Sequence, residues 1–340
     1  MEAVACPSLH KKSLRLWALR TENKYAILFI MNYPELRQSL LEEFYHLLGI
    51  KRQSWLKPLI DWLMRKPLDR FVEMALQFDA IVRAEGFSTA ARWVLPRFVR
   101  GIYVRGLAHI PAEGSLLLTA NHPGSIDGLL IPACIPRKDL RILASGLTFL
   151  RSLPSLERFL IFVPRQGNGR AWALRQAIRH LQSGGALLIF PSGGVDPDPS
   201  FHPEARLYLE KWSESVALLL QRVPQTMVQT VICSHVLLER YLRHPLTRFG
   251  STLRQKFVIA EYIQMAEQLV RRQREKLMPC LSFGEPIPAS QILSRDLEGT
   301  LKAVIQVAQH LLAEHTSLQR DRFTNLLKGE EPFSMPTSSP

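Results

Sequence analysis

Residues 116–130 read LLLTANHPGSIDGLL. The apolar run from Leu116 to Thr119 has strand character, and it stops at Asn121, His122, Pro123 and Gly124. Apolar spacing of helical type resumes beyond Asp127, so the stretch reads as a strand, a tight turn and a helix start. On an ideal helix two residues five apart are separated by roughly 140° around the axis, so His122 and Asp127 would not meet inside one regular helix. They meet if His122 sits in the turn and Asp127 in the first helical turn behind it, which Pro123 and Gly124 favour. There the helix dipole favours the carboxylate, which can hold one imidazole nitrogen and leave the other free to take a proton. This is a base with its orienting partner, without a nucleophile.

Strands and helices alternate around this stretch. Strand candidates are residues 102–105, 116–119, 141–144, 160–163, 186–190, 227–233 and 278–283. Helical patterns cover 171–182, closed by Ser183-Gly184-Gly185, then 204–220 and a segment near 301–312. The alternation predicts an α/β fold, a mixed central sheet flanked by helices. Residues 13–95 read as helical, with Trp55, Leu59, Trp62, Leu63, Leu68, Phe71 and Phe78 near helical spacing and Lys51, Arg52, Lys57, Arg65, Lys66 and Arg70 between them. Such a region either packs on the core as a helical subdomain or lies on an anionic bilayer. The expected organisation is a basic amphipathic helical region at 1–95, an α/β domain at 96–320 and a disordered tail at 321–340, which is rich in Pro and Ser from Glu331.

With 340 residues, 46% of them hydrophobic, the chain can bury a sizeable core, which excludes the disordered and fibrous classes. A formal charge of +13 implies an anionic partner: nucleic acid, acidic lipid headgroups or a phosphorylated cofactor. Cys6, Cys134, Cys233 and Cys280 lie far apart with no CxxC pairing, as buried thiols of a reducing compartment do. No signal peptide is visible. The apolar run from Tyr25 to Tyr33 is far short of the roughly 18 to 20 residues of a membrane span. Action from the cytoplasmic face of a membrane, as a peripheral protein, is the expectation.

The segment from Asn121 to Asp127 resembles the first motif of the glycerolipid acyltransferase family, the glycerol-3-phosphate and 1-acylglycerol-3-phosphate acyltransferases, whose signature is Asn-His, four residues and Asp. Phe162-Val163-Pro164-Arg165 is similar to the second motif, whose Arg the family associates with the acceptor's phosphate. Phe190-Pro191-Ser192-Gly193-Gly194 is similar to the third, usually Phe-Pro-Glu-Gly. Val223-Pro224 with the strand at 227–233 resembles the fourth only weakly, because the family's Pro within that strand is missing. Phe283-Gly284-Glu285-Pro286-Ile287 resembles a strand end common after these motifs. The resemblance spans about Tyr103 to Ile287, in the family's order.

The resemblance implies acyl transfer from a thioester, on coenzyme A or acyl carrier protein, to a hydroxyl of a glycerolipid or lysophospholipid. His122 would be the base and Asp127 its partner. Arg165 and Arg170, in a loop with Gly167, Asn168 and Gly169, would grip a phosphate. Asn121, Gly124, Ser125, Pro191, Ser192 and Gly193 would contact substrate. Backbone N–H groups after Gly124 are the expected oxyanion donors, with the 191–194 turn as a second candidate. No cofactor or metal is implied beyond the thioester co-substrate, and the partners are the lipid acceptor, the donor and an anionic membrane surface rather than nucleic acid. Ser192 in place of the family's Glu removes a charge and suggests an acceptor other than free glycerol-3-phosphate.

The sequence has no Gly-x-Ser-x-Gly elbow, no Walker A loop and no Gly-x-Gly-x-x-Gly turn after a strand. His180, His235 and His244 have no evident partners, and typical zinc spacings are absent. A thioesterase-like hydrolase using the same His-Asp pair and a non-catalytic basic lipid-binding or nucleic-acid-binding protein remain the alternatives.

Overall fold

The computed structural model describes residues 24–47, 55, 57–145, 148–164, 169–270 and 277–327. Its centre is β2 (Leu116–Ala120), every residue of which is buried. A fully buried strand needs cover on both faces and neighbours on both edges, the condition met inside a parallel sheet. β2 pairs in parallel with β5 (Ala186–Ile189) on one side and β6 (Met227–Ser234) on the other, with Leu116 opposite both Ala186 and Met227. β3 (Arg141–Ser145) and β4 (Leu160–Val163) continue the parallel set beyond β5. On the other side β7 (Cys280–Phe283) runs antiparallel to β6, β1 (Tyr103–Arg105) is parallel to β7, and β9 (Thr324–Asn325) is antiparallel to β1. The order is β4-β3-β5-β2-β6-β7-β1-β9, with β8 (Ile287–Pro288) also pairing with β6. This is the mixed sheet that the alternation predicts, and all seven strands read from the sequence are present, their ends shifted by no more than two residues.

The helices of eight residues or more are α1 (Lys24–Leu47), α2 (Lys57–Glu85), α3 (Phe87–Val94), α4 (Asp127–Cys134), α5 (Gly169–Gln182), α6 (Ser215–Arg222), α7 (Leu253–Val270) and α8 (Leu297–Ser317). They cover both faces of the sheet. Alternation along β2 sends Leu116, Leu118 and Ala120 into a core shared with Leu36, Leu40, Val72, Phe87 and Ile131 of the N-terminal helices and α4. Leu117 enters the opposite core with Ala177, Val216, Leu220, Val304 and Ala308 of α5, α6 and α8. Burying each such leucine is worth about 1.5 to 3 kcal/mol, so β2 is anchored from both sides.

The helix expected over 204–220 is broken. Ala205–Leu209 is helical, Trp212 is buried, the Ser213 N–H donates to the Pro191 carbonyl at 3.0 Å, and the helix resumes only at Ser215. That bond ties the break to the loop after β5. Residues 323–325, expected in a disordered tail, are structured instead: Thr324–Asn325 pairs with β1, and Phe323 is buried, because the edge of β1 needs a partner. Residues 328–340 lie outside the described residues, as do Cys6 and the helical pattern over 13–23. Gly106 closes the end of β1 at φ 79°, where a Cβ would stand 2.1 Å from the Phe283 carbonyl oxygen.

Candidate active site

Parallel pairing places the loops that follow β2, β4, β5 and β6 along one edge of the sheet, where open α/β sheets bind ligands. Asn121 leaves β2 and extends its ladder with a side chain. Its Nδ2 donates to the Cys233 carbonyl at 2.9 Å, and its Oδ1 accepts from the Cys233 N–H at 2.7 Å. The residue is buried and its amide is paired with the β6 backbone.

His122 is fixed at both backbone atoms by Asp196: its N–H donates to Asp196 Oδ2 at 3.0 Å, and its carbonyl accepts from the Asp196 N–H at 2.7 Å. The ring stacks on Phe190, with centroids 4.3 Å apart. Nδ1 lies 2.8 Å from Asp127 Oδ1, and the side chains are 22% and 0% exposed. The turn at Pro123-Gly124 thus delivers the pairing that the five-residue spacing predicts, with Asp127 the first residue of α4. Asp127 Oδ2 also accepts from the Gly124 N–H at 3.2 Å.

Two backbone N–H groups of the turn have carboxylate partners. The Gly124 N–H is held by Asp127, and the Ser125 N–H donates to Glu261 of α7, whose other oxygen accepts from Ser125 Oγ at 3.0 Å. In the loop after β5 the Gly193 N–H donates to the Phe190 carbonyl at 3.1 Å, and Ser192 Oγ donates to the Gly194 carbonyl at 2.8 Å. Pro191 is buried, its carbonyl held by Ser213. Arg254 of α7 caps this loop, donating from Nη2 to the Ser192 carbonyl at 3.0 Å and standing 3.6 Å from Asp196 Oδ1.

Arg165, Gly167 and Asn168 lie outside the described residues. Arg170 is exposed in the first turn of α5, after β4. β4 itself stands three ladder steps, roughly 14 Å, from β2.

Three carboxylates shape the field at His122. Burial alone would lower its pKa, but Asp127 overcomes this through charge and hydrogen bond, and Asp196 and Glu261 add to it, raising the imidazole to about 9. Asp127 is itself raised, by burial above all, with His122 pulling it back. Asp196 is raised by burial, opposed by its bond from the His122 N–H. Glu261 is pushed up to about 7 by burial and then by the Asp127 charge.

Asp196 and Glu261 are site residues that no local pattern announces. They join the turn across 74 and 136 positions of sequence respectively. The arrangement as a whole holds one imidazole by Nδ1 against a buried anion, with its backbone clamped, at the edge of the sheet where the parallel strands end.

Residues 101–234 match the acyltransferase family model. A crystal structure of the 1-acyl-sn-glycerophosphate (LPA) acyltransferase PlsC from Thermotoga maritima is similar over 83% of this chain and 95% of that one, with 18% sequence identity and a TM-score of 0.41. The matched segment runs from just before β1 to the end of β6 and contains His122, Asp127 and the loops that hold them. Residues 101–234 are therefore similar to the acyltransferase family model over the stretch that holds the motifs resembling those of the glycerolipid acyltransferases.

Proposed function

We propose that the protein transfers a fatty acyl group from a thioester donor, acyl-CoA or acyl carrier protein, to a hydroxyl of a glycerolipid or lysophospholipid. The observation that carries this is the contact of 2.8 Å between His122 Nδ1 and the fully buried Asp127 carboxylate, inside the segment similar to the acyltransferase family model. With Nδ1–H donated to Asp127, Nε2 takes the proton of the acceptor hydroxyl as its oxygen attacks the thioester carbonyl. The tetrahedral intermediate then breaks its C–S bond, and the imidazolium returns the proton to the leaving thiolate. A thiolate of pKa about 8.5 leaves readily, so no protein nucleophile is needed. Ser192, short and neutral where the family has Glu, favours a lysolipid or another lipid alcohol as acceptor.

The reading extends to a membrane surface. No helix among the described residues is long and apolar enough to cross a bilayer. Trp55, just before α2, and Leu59, Trp62 and Leu63 in its first turns are 84, 57, 73 and 62% exposed, beside the exposed Arg65 and Lys66. Aromatic and aliphatic side chains left in water next to cations suit an anionic lipid interface. From Pro67 onward the same helix buries Leu68, Val72 and Ala75, so it has one end on the core and one end free for lipid.

The deciding experiment incubates purified protein with radiolabelled oleoyl-CoA or oleoyl-acyl carrier protein and a panel of lysophosphatidic acid, glycerol-3-phosphate and monoacylglycerol. Acylated lipid should form with the wild type, and His122→Ala should lose about 10² to 10⁴ in rate while remaining folded. Release of free fatty acid alone would make the protein a hydrolase, and near-normal transfer by folded His122→Ala would refute the mechanism.

A further inference from the structure

Helix α7 turns a polar face inward. Arg254, Glu261, Gln264 and Gln268 fall within roughly 80° of helical arc, and the last three are buried. Each holds a different loop: Arg254 holds the Ser192 carbonyl, Glu261 holds Ser125, Gln264 holds the Leu238 N–H at 2.8 Å and the Val236 carbonyl at 3.1 Å, and Gln268 holds the Phe98 carbonyl at 3.2 Å. Of these, Glu261 lies nearest the dyad. A Cβ on Gly124 would stand 3.1 Å from Glu261 Oε1, so the carboxylate is packed directly against the turn between His122 and Asp127.

We propose that Glu261 is a positioning residue that holds the His122–Asp127 turn from the α7 side and presents its charge to the site. Three anchors fix the turn: Asp196 at the His122 backbone, Asp127 at the Gly124 N–H, and Glu261 at the Ser125 N–H and hydroxyl. Without the third, the chain between Gly124 and Asp127 is tied only to its own helix start. The charged groups facing His122 are Asp127 from α4, Asp196 from the loop after β5 and Glu261 from α7. Arg254, from α7 as well, opposes them beside Asp196. Two of the three anions sit within hydrogen-bond reach of His122 itself, whereas Glu261 acts through the turn and through space. The imidazole proton affinity is a property of the resting protein; only its consequence for rate rests on the acyl-transfer reading.

The test uses Glu261→Gln, which keeps the size and one acceptor for Ser125 but removes the charge, with Glu261→Asp as the conservative partner. The His122 titration is followed in full-length protein by NMR of ¹³C-labelled imidazole, its resonance assigned as the one lost in His122→Gln. Glu261→Gln should lower the His122 midpoint by about half to one pH unit. The acid limb of kcat/KM should move down by the same amount, and kcat should fall severalfold at nearly constant KM. Glu261→Asp keeps the raised midpoint but loses kcat, because its shorter reach loosens the Ser125 bonds. An unchanged midpoint in Glu261→Gln, with only a lower melting temperature, would reduce Glu261 to a structural role and overturn the proposal. Should Glu261→Gln not fold, wild-type kcat in Glu261→Asp would overturn it instead. The NMR arm stands even if no acyl transfer is found, so failure of the functional reading and failure of this inference are separable.

Discussion

Replacing Asp127 by Asn removes one negative charge from a carboxylate that is fully buried and 2.8 Å from His122 Nδ1. At an effective dielectric of about 20 and about 4 Å between charge centres, the pair is worth ~4 kcal/mol, or ~3 pH units of imidazole proton affinity. This is the largest charge contribution that opposes burial, and with the Asp127 hydrogen bond and the charges of Asp196 and Glu261 it raises His122 from 6.5 to about 9. In Asp127→Asn the burial remains and the largest opposing charge is gone, so the imidazole should titrate at or below its ordinary value. A base must be neutral to act, so the wild-type rate should climb with pH until His122 loses its proton near about 9, and in the variant this limb should fall by about 2 pH units or more. The maximal rate should drop by about 10² to 10⁴, because an amide neither stabilises the imidazolium nor enforces the Nδ1–H tautomer. Stability carries the same signature. The folded pKa of His122 lies above the unfolded 6.5, so its contribution, on the order of 3 kcal/mol, is complete below pH 6.5 and is lost as pH rises through about 9. Asp127→Asn should flatten this dependence. Initial rates with a thioester donor and a lysolipid, together with thermal unfolding over the same pH range, measure both effects. An acid limb that does not move, or a variant within a few-fold of the wild-type rate, would refute the pairing as the source of base strength.

Gly106→Ala sets a Cβ 2.1 Å from the Phe283 carbonyl oxygen at a backbone φ of 79°, and should destabilise the protein by about 3 kcal/mol or more in urea unfolding. A loss below about 1 kcal/mol would show that the β1–β7 corner relaxes freely. Substituting Trp55 and Trp62 together by Ser should weaken co-sedimentation with anionic vesicles several-fold and leave stability within about 0.5 kcal/mol, since both side chains are exposed. Undiminished binding would place the lipid-facing surface elsewhere. Asp198 is fully buried and accepts from the N–H groups of Ser200, His235 and Val236, so Asp198→Ala should cost about 3 to 5 kcal/mol and Asp198→Asn less, read by chemical denaturation. Equal, small losses in both would mean that the loop after β6 is held by packing alone.

The sequence by itself determined the strands, the strand-turn-helix at 116–130 and the meeting of His122 with Asp127. These depend on periodicities and on a five-residue connection, which act through neighbouring residues and need no knowledge of the rest of the chain. It also determined that the segments resembling family motifs follow strands; parallel pairing then gathered the ends of those strands at one edge. Only the tertiary structure decided what surrounds the imidazole. Asp196 and Glu261 reach the turn from 74 and 136 positions away, and α7 carries its polar residues inward because four loops there have backbone groups to satisfy. The N–H groups of Gly124 and Ser125 find carboxylate partners in the fold. The Asn121 amide pairs with the β6 backbone. The helical pattern over 204–220 breaks because Trp212 goes into the core and Ser213 binds the Pro191 carbonyl, and residues beyond 321 add a strand because β1 has an open edge. Local propensity fixes which elements form, whereas the partners of buried polar groups follow from how distant elements pack, and it is those partners that set the charge and proton affinity of the site.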